Sequence, residues 1–147
     1  MFTGQLDIRF LPNGDRLLLT DMTWAETYGH LDTRVFTAWE GLLHDGNSTP
    51  NLLSFLATPP MELPSAFHDA MYQKQAWDNG DEMSRWEADR EMRKIAVVTQ
   101  ERARRGCRPL VMEFFVLWHC VQRWITWSGV RLGGWVPWNR HKALASS

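Results

Sequence analysis

In the stretch AFHDAMYQ, His68 is followed by Asp69 and, four positions on, by Tyr72. On a helix, residues at i and i+4 share a face, so His68 and Tyr72 point together while Asp69 turns about 100° away. Further along, Asp89 sits among Trp86, Met92 and Ala96, at the edge of an apolar helical face. If the two helices pack antiparallel across a short turn, Asp89 approaches His68. A carboxylate on one imidazole nitrogen fixes the tautomer and leaves the other nitrogen as a general base. Tyr72 would donate a hydrogen bond to the same carboxylate. Asp69, turned aside, is placed to bind a divalent cation together with Asp45 and Gly46 of the loop at 44–50. Calcium suits such a site, because it accepts carboxylate and backbone carbonyl oxygens in flexible geometry.

A structural alternative stands beside this one. Asp89 lies four residues from Arg85 and four from Arg93, the spacing of helix-surface ion pairs. His68 and Tyr72 would then be core residues with satisfied polar atoms, and Asp45, Gly46 and Ser48 would be turn chemistry. Asp69 is the residue that a purely structural pair needs least. His44, next to Asp45, is a further candidate ligand.

The elements that must position these groups fall into two parts. Residues 5–43 read as strands and turns: LDIRFLP and RLLLTDM flank Asn13-Gly14, a hairpin signal because both residues tolerate positive φ. DTRVFTAWEGLL reads as a further strand. Residues 44–64, rich in Gly, Asn, Ser and Pro, read as a loop. A first helix is expected from about Ser65 to Trp77, stopped by Asn79-Gly80. A second opens at Ser84, with Glu87 completing a capping box, and runs to about Arg105. Gly106 and Pro109 precede a third helix reaching about Ser128, on which His119, Gln122, Arg123 and Thr126 form a narrow polar stripe. The rest of that helix is mostly apolar, which places it in the core or in an interface. The expected class is α+β: a small N-terminal antiparallel sheet, then a three-helix core, forming one domain over 1–128, with a Trp- and Arg-rich tail at 129–147.

Composition narrows the classes. Two cysteines, Cys107 and Cys120, are too few for a disulfide framework and lack zinc-ligand spacing. The opening MFTGQLDIRF has no signal-peptide pattern, and the apolar run LVMEFFVLWHCV is interrupted by Glu113 and His119, so a soluble protein is expected. Net charge is −1 but unevenly placed: from Arg102 onward eight basic residues face the single acid Glu113, a net +7, leaving −8 on residues 1–101. Nine Trp, two of them (Trp135 and Trp138) in the tail, suggest surfaces shared with a partner. The tail is therefore expected to dock on other copies of the chain or other proteins. It carries no recognisable nucleic-acid-reading motif.

The pairing of His68, Asp69 and Tyr72 with Asp89 of EADREM resembles the core of phospholipase A2, where a His-Asp-x-x-Tyr helix meets an antiparallel helix that supplies the pairing Asp. The phospholipase domain of parvovirus capsid proteins looks most similar. The resemblance implies a calcium-assisted ester hydrolase acting on phospholipid, with His68 activating water. The glycine-rich calcium loop and the disulfides of the secreted enzymes are absent here. Over most of its length the chain also resembles a family of small phage-encoded proteins of unknown function. The residues that carry this likeness are Gly41, DGNSTP (Asp45, Gly46, Ser48, Pro50), HDAMY, and Arg85 with Ala88-Asp89. That likeness implies a phage origin and a place in the virion or the host bacterial cytoplasm. Two functions follow: a virion-carried esterase that breaches a host envelope, with phospholipid as partner, or a non-catalytic virion structural or assembly component.

Overall fold

The computed structural model describes residues 2–3, 6–28, 32–44, 59–105 and 109–145. Among these residues two three-stranded antiparallel sheets precede four helices, the expected α+β order. The first sheet joins β1 (Phe2–Thr3), β4 (Met22–Tyr28) and β5 (Asp32–Ala38) in the order β1-β4-β5. The second joins β2 (Ile8–Phe10), β3 (Arg16–Leu18) and β6 (Leu43–His44) in the order β2-β3-β6. Between β2 and β3 the Asn13-Gly14 turn forms as expected, with Gly14 at φ 92°. Strand β4 alternates: Met22 and Trp24 are buried, and across the ladder they face Ala38 and Phe36, which are buried too. That face meets the first helix, where Phe36 and Phe67 pack edge to face with ring centres 6.4 Å apart.

Helix α1 spans Pro59–Lys74, starting six residues before the expected Ser65 and ending before Trp77. Pro59 and Pro60 occupy its first turn, where a missing N–H removes no helical bond. Pro64 lies inside it and forgoes one bond, a local cost outweighed by burial of Met61, Leu63, Ala66, Phe67, Ala70 and Met71. The helix stops at Gln75, a non-glycine residue at φ 52°. From there the chain doubles back through a tight turn: Ala76 bridges Glu82, and Met83 donates its N–H to the Gln75 carbonyl. Gly80, at φ 92°, supplies the left-handed residue of that turn. Helix α2 (Arg85–Arg104) then begins at the expected capping box, with Ser84 and Glu87 each satisfying the other's backbone N–H. The turn makes α1 and α2 antiparallel neighbours.

Helix α3 runs from Pro109 to Gly133, past the expected Ser128, and α4 (Trp135–Ala145) follows after Gly134. Residues expected to leave the core for another chain therefore fold back onto it. Trp138 is buried edge-on against Tyr72 at 5.0 Å, and its carbonyl accepts a hydrogen bond from the Gln75 side chain at 2.8 Å. The polar stripe of α3 faces inward: His119, Gln122 and Thr126 are buried, Gln100 of α2 donates to Gln122 at 3.0 Å, and Arg123 donates to Gln100 at 2.7 Å. Phe114, Leu117, Val121 and Trp124 lie on the opposite, exposed side.

Trp138→Ala is expected to lower unfolding stability in urea by about 3 kcal/mol, as for other buried aromatic truncations. A loss below about 0.5 kcal/mol, the range of surface substitutions, would mean that the tail leaves the core in solution.

Candidate functional site

Asp89 has no solvent exposure and stands at the meeting of three helices. Oδ1 accepts a hydrogen bond from His68 Nε2 at 3.0 Å and another from the Tyr72 hydroxyl at 2.7 Å. Oδ2 accepts from Arg131 Nη1 at 3.0 Å. The antiparallel α1–α2 pair thus brings His68, Tyr72 and Asp89 together in the arrangement expected from sequence, and Asp89 bonds neither Arg85 nor Arg93 among the described residues. An ionised carboxylate only accepts, so His68 presents Nε2–H to it, and Nδ1 is the ring's other, free edge. Asp69 lies on that edge, its Oδ1 3.8 Å from Nδ1, a charge contact too long for a hydrogen bond.

The electrostatics follow from burial and these contacts. Burial disfavours the charged imidazole of His68, but the two flanking carboxylates and the hydrogen bond to Asp89 outweigh it, and its pKa ends above the ordinary 6.5. Burial likewise works against ionised Asp89, yet the hydrogen bonds from His68, Tyr72 and Arg131 and the charge of His68 hold its pKa below 3.8. Burial and the adjacent Asp89 push the Tyr72 hydroxyl far up, so it serves as a donor and not as an acid at any ordinary pH.

His44, at the end of β6, is buried, and neither ring nitrogen has a hydrogen-bond partner among the described residues. Burial lowers its pKa, Asp69 opposes that shift, and Arg16 adds to it. The His44 ring lies on the Asp69 side of the site. Asp45 and Gly46, the other expected calcium ligands, lie outside the described residues. Calcium takes six to eight oxygens, and no group of three His, Cys, Asp or Glu among the described residues is arranged to hold a metal. Of the three expected calcium ligands, Asp69 alone is among the described residues.

Arg131, Gly134 and Trp138 complete the site and were not foreseen from sequence. Arg131 neutralises Asp89, Trp138 covers Tyr72, and a Cβ on Gly134 would collide with the Tyr72 hydroxyl and the Val130 carbonyl. Their spacing of three and four residues was visible in the sequence, but the third helix was expected to end near Ser128, which left all three in the tail. Among the described residues no helix is long and apolar enough to cross a membrane. Neither known protein families, nor curated proteins, nor solved structures contain a match to this chain.

The paired groups give stability a defined pH dependence. Because the folded-state pKa of His68 is raised, its contribution is fully present below 6.5 and is lost as pH rises through the raised value. Because that of Asp89 is lowered, its contribution is present above 3.8 and is lost as pH falls through the lowered value. Urea unfolding across pH is expected to show a plateau between those limits with a decline on either side. In His68→Gln the alkaline decline should flatten; an unchanged alkaline limb would show that His68 does not carry it.

Proposed function

We propose that this chain is a phage-encoded, virion-associated hydrolase of ester bonds, with His68 as general base and Asp89 as the carboxylate that orients it. Phospholipid of a host envelope is the substrate class suggested by the resemblance to phospholipase A2. The observation that carries the proposal is the bond from His68 Nε2 to the fully buried Asp89, which leaves Nδ1 on the side of Asp69. A free imidazole nitrogen held in one orientation is what base catalysis requires. Deprotonated Nδ1 takes a proton from water while the water oxygen bonds to the ester carbonyl carbon. When the tetrahedral intermediate collapses, the ester C–O bond breaks and the alcohol leaves with the proton that Nδ1 held, giving one acid and one alcohol. Tyr72 and Arg131 keep Asp89 ionised and fixed throughout.

One observation favours a second proposal, a non-catalytic virion component. Helix α3 turns its polar stripe inward and leaves Phe114, Leu117, Val121 and Trp124 exposed, a surface suited to another protein. In that case the His68–Asp89 bond is a structural fastening, and the partners are copies of this chain or other virion proteins.

Hydrolysis of phospholipid vesicles separates the two. Wild type is expected to release fatty acid, and His68→Gln to lose roughly a hundred- to ten-thousand-fold of that rate with its far-UV spectrum unchanged. Loss of activity on chelation would assign Asp69 a calcium-holding role. Inactive wild type, with or without calcium, combined with a destabilised His68→Gln variant, would remove the enzyme and leave the fastening.

A further inference from the structure

We infer that the exposed stripe of α3 is the seam of a dimer, in which two copies of this chain lay their third helices side by side and antiparallel. Along the outward side of the helix stand Phe114, Leu117, Val121, Trp124, Ser128 and Leu132, spaced by three or four residues throughout. Phe114, Leu117 and Leu132 are 70%, 67% and 80% exposed, so the stripe has no cover within its own chain. Apolar side chains at alternating three- and four-residue steps are what one helix needs to seat its knobs between those of another. The five apolar members leave roughly 600 Å² open, taking about 150–250 Å² for each aromatic and somewhat less for each aliphatic. Two such faces together bury about 1,200 Å², the size at which specific interfaces begin.

Charge selects the occupant. From Phe114 to Val130 the one Arg, Lys, Asp or Glu is Arg123, and it turns inward to Gln100 at 2.7 Å. A helix lying on anionic lipid carries Lys or Arg along its polar side. In α3 that side is buried, with His119, Gln122 and Thr126. The stripe therefore suits a neutral apolar helix, and the same stripe of a second copy is one, with no like charges to bring together. Side-chain size decides the direction. With a two-fold axis between Val121 and Trp124, antiparallel pairing sets Trp124 of one copy against Val121 of the other, and Leu117 against Ser128. Large then meets small, while Phe114 closes on Leu132 at each end. Parallel pairing would stack Trp124 on its own counterpart and leave Ser128 facing Ser128, crowded in one layer and hollow in the next. Arg93 of α2 lies over the Trp124 ring at 4.3 Å and holds the largest knob in place. The Gln100–Gln122 and Arg123–Gln100 bonds keep the seam turned outward.

The pairing holds whether or not His68 works as a base, and sedimentation velocity of the full chain reads it without any activity. Wild type is expected to run as a dimer at about 100 μM, with a Kd in the micromolar range or tighter. Leu117→Glu should raise that Kd roughly a hundredfold or more, because the seam would bury an unpaired carboxylate. Its far-UV spectrum should not change, since the position is exposed in the single chain. Phe10→Ala, at an exposed apolar residue of β2, should leave the dimer as it is. Adding Ser128→Lys to Leu117→Glu should restore the dimer, since antiparallel helices set those two positions opposite each other and parallel ones do not. A wild type that stays monomeric at that concentration, or a dimer that survives Leu117→Glu, would overturn the inference. A monomer that floats with phosphatidylglycerol vesicles would overturn it too and give the face to lipid. If the chain carrying both substitutions stays monomeric, the antiparallel register is wrong.

Discussion

One buried carboxylate organises the helical half of this protein. Asp89 has no contact with solvent and accepts donors from three directions: His68 and Tyr72 of α1 on one oxygen, Arg131 of α3 on the other. Leaving such a charge without its partners costs on the order of 3 kcal/mol or more, a large fraction of a domain's stability. The helices are therefore held in the register that satisfies it. Much of the surrounding structure secures α2 in that register. The turn through Gln75 and Gly80 fixes its start, the Ser84–Glu87 box caps it, and Trp24 of β4 donates to buried Glu91 at 3.1 Å. Lys94 joins Glu91 to Glu26 of the same strand, so sheet and helix share one charge network.

How far the sequence reveals this depends on how local each determinant is. The His68–Tyr72 face follows from i, i+4 spacing, and the antiparallel approach of Asp89 from a short connection at Asn79-Gly80. The capping box and the Asn13-Gly14 turn are equally local signals, and both form. The start of α1 is not local. PPMELPS reads as loop by nearest-neighbour rules, and it is helical with Met61 and Leu63 buried against the rest of the core. Strand β4 was not separated from its surroundings because Thr23, Glu26 and Thr27 give MTWAETY a polar cast. Arg131 was missed for the plainest reason: its contact spans 42 residues of sequence, and no pattern near it names Asp89.

Helix α3 shows where periodicity stops short. Its sequence predicts an amphipathic helix but not which side turns inward. In the structure the Gln100–Gln122–Arg123 chain of hydrogen bonds holds the polar side against α2, and the apolar side looks outward. Buried amides that are fully bonded can specify a helix interface as firmly as apolar packing does. The same helix carries Arg131 toward the site, so the face turned to Asp89 and the face left exposed are fixed together.

The tautomer of His68 tests the central claim most directly. If ionised Asp89 takes the proton-bearing side of the ring, ring nitrogen chemical shifts measured above the His68 midpoint will show Nε2 protonated and Nδ1 bare, with Nε2–H protected from exchange. A ring carrying its proton on Nδ1 would contradict the account, since the nitrogen offered as a base would then be occupied and the bond to Asp89 would not be the one that orients it.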